Sequence, residues 1–91
     1  YAEELTETLK NLDLTEQTYI LAEKIPQYKY IGRYLIFQEM DQISMVQKKE
    51  NVPDTSYYIL TKDKDAYADI TEAVEAEYDW TDTYFLLKVQ D

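Results

Sequence analysis

Apolar positions recur at helical spacing in the first dozen residues: Leu5, Leu9 and Leu12 fall at i, i+4 and i+7, with Glu3 and Glu4 ahead of them and Lys10 near the end. Residues 3–12 are expected to form a short amphipathic helix, its charges matched to the helix dipole. Two patterns compete over 14–25. Leu14, Thr18, Leu21 and Ile25 make a helical stripe, and Asp13-Leu14-Thr15-Glu16 resembles a capping box, whereas Thr18-Tyr19-Ile20-Leu21 has strand composition. Helix is the expectation there, with strand as the alternative. Pro26 closes that segment, and 28–37, dense in Tyr, Ile, Leu and Phe, reads as a strand bulged at Gly32. Stretches 43–48 and 57–61 flank the turn-rich Glu50-Asn51-Val52-Pro53-Asp54 and predict a hairpin. A second helix is expected over 64–78, with Tyr67, Ile70, Val74 and Tyr78 on one face and Asp63 or Asp65 capping its start. A strand over 84–90 completes the pattern.

These elements fit one small α+β domain covering 1–91. Its core would be an antiparallel sheet of three or four strands with two or three helices packed on one side. Residues 21–25 also resemble the second helix of a winged helix-turn-helix domain, and 43–49 with 57–61 resemble its wing. That resemblance spans 3–78 and implies a recognition helix over 28–40 and a DNA-binding regulator contacting phosphates through Lys29, Arg33, Lys48 and Lys49.

Charge changes the picture. Nine basic residues stand against nineteen acidic ones, a net charge of −10, so the average surface repels nucleic acid and anionic membrane. The acidity is concentrated: 1–24 carry net −4, 25–62 net +1 and 63–91 net −7. With 45% apolar residues the chain is too hydrophobic for disorder. The absence of His and Cys removes imidazole and thiolate chemistry, disulfides and cysteine zinc sites. No run approaches the roughly 18 apolar residues of a membrane span. The acidic N-terminus is unlike a secretory signal, and the expectation is a cytoplasmic protein.

On a helix over 64–78, Asp65, Asp69, Glu72, Glu75 and Asp79 would share one stripe opposite the apolar face. Neighbouring acids would stand about 4.5–6 Å apart along the axis, as a row a basic groove could take for phosphates. The plainer account is a solvated, solubilising face. Asp63-x-Asp65-x-Tyr67-x-Asp69 begins like an EF-hand but has Ala68 where the turn needs Gly and Val74 where a bidentate Glu belongs, so no metal is expected. Carboxylate pairs such as Glu39/Asp41 and Asp79/Asp82 single out no catalytic site, and neither enzyme activity nor a cofactor is expected.

Ten tyrosines are many for this length. On a strand, Tyr28, Tyr30 and Tyr34 would line one face as a contact surface, with Trp80 as a further anchor. A base-stacking platform rimmed by Lys29, Arg33, Lys48 and Lys49 is opposed by the net charge. The expected function is a non-enzymatic inhibitor or regulator binding the basic site of a partner protein. Its sharpest form is a nucleic-acid mimic, like small acidic anti-restriction and anti-CRISPR proteins in charge and size only. A structural subunit dimerising through the Tyr face is a further alternative.

Overall fold

The computed structural model describes residues 2–12, 14–40, 42–53 and 57–90. Helix α1 (Ala2–Asn11) follows the expected pattern, with Leu5 and Leu9 fully buried and Lys10 in its last turn. Strand β1 (Thr18–Leu21) takes the stretch for which helix was expected. Its neighbours explain this: Thr18, Ile20 and Leu21 are buried in mid-sheet, where β-branched side chains suit a pleated surface better than a helix. Asp13 of the supposed capping box lies outside the described residues.

The largest correction falls on 28–37, which is helix α2 (Tyr28–Phe37) and not a bulged strand. Ile31 and Leu35, one turn apart, are its fully buried pair, and Pro26 lies just before the start, where a missing N–H is harmless. The helix stops in a Schellman turn. Glu39 takes φ 61° and donates its N–H to Ile36 at 3.0 Å, while Met40 donates to Leu35 at 2.9 Å. Glutamate stands where glycine is usual, so no stop signal shows in the sequence.

Strands β2 (Ile43–Val46) and β3 (Tyr58–Thr61) form where strands were expected, but they do not pair. β1 lies between them, parallel to both, and α2 is the crossover from β1 to β2 that a parallel pair requires. The second predicted helix is absent. A 3-10 turn spans Lys64–Tyr67, and strand β4 (Thr71–Asp79) follows, antiparallel to β5 (Thr83–Val89). The five strands run in the order β2-β1-β3-β5-β4, a mixed sheet larger than the antiparallel one expected. Of the segments resembling a winged helix, 28–37 is helical, whereas Leu21 ends a strand and the two wing strands are held apart by β1.

Both faces of the sheet are covered. Ile20, Leu60, Tyr78, Tyr84 and Leu86 meet α1 and α2 on one face. Leu21, Ile59, Leu87 and Val89 meet Val52, Tyr57 and Tyr67 from the connections on the other. Among the described residues no helix is long and apolar enough to cross a membrane.

Gly32 sits inside α2, where glycine costs about 0.5–1 kcal/mol relative to alanine. A Cβ there would meet Met45 Cβ and Cγ at 3.7 Å, an ordinary contact. Gly32→Ala is therefore expected to stabilise the fold by about that amount, seen as a higher urea midpoint at unchanged slope.

Candidate functional site

β4 is the longest strand and forms one edge of the sheet; among the described residues no segment pairs with its outer side. An edge strand offers a row of N–H and C=O groups for another chain to bond. Two irregularities shape it. Between Thr71 and Ala73, and again between Val74 and Ala76, the register against β5 slips by one residue, leaving Glu72 and Glu75 as the extra residues of two bulges. Glu72 reaches Lys88 of β5 at 3.2 Å, and both bulge glutamates lie close enough to raise the pKa of Tyr58, which burial raises most. They therefore occupy the helix-covered side. Glu77 and Asp79, opposite Phe85 and Thr83, alternate with Ala76 and Tyr78 and project to the other side.

The five carboxylates predicted to share a helical stripe are thus distributed differently. Asp65 is in the 3-10 turn and Asp69 in the turn that follows, while Glu72, Glu75 and Asp79 are on β4, divided between its two faces. The structure adds Glu77 to the same strand, for which the signal was the alternation Ala76-Glu77-Tyr78-Asp79. Val74, 52% exposed and in register with Leu87, is an apolar side chain on the face of Glu77 and Asp79.

The aromatic residues do not form the predicted row, because a helix turns successive side chains by about 100°. Tyr30 is exposed, Tyr28 and Tyr34 are half-buried, and all three sit on α2, which packs on β2 at the far edge. Trp80 is elsewhere, stacked on Tyr78 at 4.9 Å and tilted against Tyr84 at 5.0 Å. Tyr78 in turn donates to Thr8 Oγ1 at 2.8 Å, tying β4 to α1.

A cleft of 240 Å³ opens at the C-terminal ends of the parallel strands β1 and β3, lined by Glu23, Lys24, Thr61, Lys62, Asp63 and Tyr67. Tyr67 donates to Glu23 Oε1 at 2.9 Å, and burial together with that carboxylate pushes its pKa up to about 12. The cleft is smaller than the roughly 300–1,000 Å³ of ordinary ligand pockets. Asp82 pairs with Lys62 at 3.7 Å and Asp79 accepts from Thr83 Oγ1 at 3.3 Å, while Asp41 lies outside the described residues. Among the described residues no group of three or more acids could hold a metal ion.

No protein-family model matches the chain, and neither a curated protein nor a solved structure matches it.

Proposed function

We propose that this chain is a non-enzymatic binding protein that lays its acidic β4 edge along a basic, extended segment of a partner protein and so inhibits or regulates that partner. The observation supporting this is the longest strand of the sheet standing at an edge with Glu72, Glu75, Glu77 and Asp79 along it. Strand addition would supply main-chain hydrogen bonds, and the carboxylates would select Lys and Arg. Carboxylates two residues apart on a strand lie about 6–7 Å apart, a spacing suited to a basic site that otherwise holds phosphates. Charge and bulges on an edge also discourage one copy of β4 from pairing with another, which leaves the edge open for a partner of opposite charge.

The test is amide shift mapping with a nine-residue peptide alternating Lys and Val, repeated with Glu in place of Lys. The basic peptide is expected to move the amides of 71–79, to bind at least tenfold more weakly to Glu75→Lys/Glu77→Lys, and to be released by salt. Unmoved β4 amides, or equal binding by the charge-reversed variant, would remove the proposal.

A further inference from the structure

The opposite edge of the sheet complements β4. Thr18 N–H donates to the Gln42 carbonyl and Ala22 N–H to that of Val46, both at 2.8 Å, so alternate residues of this strand turn toward β1 and the backbone groups of Ile43 and Met45 turn outward. The Ile43 N–H is taken by Met40 at 3.0 Å, which leaves the Met45 N–H and C=O facing the open side. Beside this edge runs a groove of 570 Å³ between α2 and β2, lined in part by Lys29, Gly32, Arg33, Ile36 and Met45. Ile36 of its lining is 64% exposed, and Phe37, the next residue of α2, is 83% exposed. From Lys24 to Gln38 the chain has three cations and no acid, in a molecule of net charge −10.

We propose that a second copy of this chain docks its acidic β4 edge against the β2 edge and the α2 groove, joining the two sheets head to tail. This rests on the reading of β4 as a docking edge and names one occupant for it. Pairing β4 with β4 would set acids opposite acids, and pairing the two α2 faces would set Lys29 and Arg33 against their own copies. Only the mixed joint brings opposite charges together. It also gives exposed Val74 and Ile70 an apolar counterpart in Ile36 and Phe37. At physiological ionic strength the screening length is about 8 Å, so repulsion between distant acids fades while pairs at the joint still attract. Each joint uses one edge of each copy and leaves the outer edges free, so such an assembly can continue to grow.

Sedimentation velocity at 0.15 M salt tests this with two surface variants, Arg33→Glu/Phe37→Asp and Glu75→Lys/Glu77→Lys, each first checked for a wild-type thermal transition. Wild type is expected to associate increasingly with concentration. Each variant alone should need at least tenfold more protein to associate, and mixing the two should restore association. A dimer that survives in the first variant alone would mean β4–β4 pairing, and one that survives in the second would mean α2–α2 pairing; either overturns the inference. Monomeric wild type at millimolar concentration also overturns it, and if the Lys-Val peptide still moves the β4 amides, the acidic-edge reading stands without it.

Discussion

Leu60→Ala is expected to cost about 3–4 kcal/mol, lowering the melting temperature by about 15 °C or more. Leu60 is fully buried in β3, which has β1 on one side and β5 on the other, and its register partner is the equally buried Leu86. The layers around it are held by α1 and α2 on one side and by the second core on the other, so the site has little freedom to collapse into the cavity. A domain of this size has about 5–15 kcal/mol in all, so one truncation removes a large share. Ile36→Ala on the exposed side of α2 is the matched control, expected to change stability by less than about 0.5 kcal/mol. Thermal melts of both variants check the pair; similar shifts would mean that Leu60 is not at the centre of the fold.

The second large effect is alkaline. Burial raises the pKa of Tyr58, Tyr67 and Tyr78 above the usual 10, Tyr67 to about 12. Neighbouring carboxylates add to this: Glu72 and Glu75 at Tyr58, Glu23 and Asp63 at Tyr67, and Glu4 at Tyr78, with Lys88 and the Thr8 hydrogen bond acting in the opposite direction at Tyr58 and Tyr78. A raised folded-state pKa means that the folded form holds its proton more tightly than the unfolded chain. The resulting stability is complete below pH 10 and is lost as the pH climbs through the folded values toward 12. Urea midpoints should stay level from pH 8 to about 9.5 and then fall steeply. Tyr67→Phe should flatten part of that fall, because Phe has no proton to lose. A curve of unchanged slope in Tyr67→Phe would remove the assignment.

Three parts of this fold can be read from the sequence for simple reasons. In α1 the period and the terminal charges agree, in β5 the apolar run is short and rich in aromatic and aliphatic residues, and β2 and β3 flank turn residues. What escapes is each place where a local signal is cancelled. In α2, Tyr30, Ile36 and Phe37 are apolar yet exposed, which erases the contrast between faces and leaves only Ile31 and Leu35 at helical spacing. In β4 the bulges at Glu72 and Glu75 insert a residue twice, so a strand's alternation drifts toward the three- and four-residue steps of a helix. The acids of the candidate edge were therefore visible as a cluster, whereas their division between two faces of a strand was not. The pairing of β1 with both β2 and β3 has no local signature, since its partners lie 25 residues away in β2, as at Thr18↔Ile43, and 38 residues away in β3, as at Ile20↔Tyr58.

A sheet with carboxylates along one rim and an acid-free helix at the other is electrically lopsided across its width. Beyond its net charge, the molecule therefore carries its strand and α2 charges unevenly across the sheet, the carboxylates of β4 on one rim and Lys29 and Arg33 on the other. In the field of a charged surface such a body feels a torque as well as a pull, and it turns its β4 rim toward positive potential before any atoms touch. That pre-alignment raises the fraction of collisions that begin in a productive orientation, so the uneven distribution of charge acts on the rate of encounter as well as on the strength of the contact that follows.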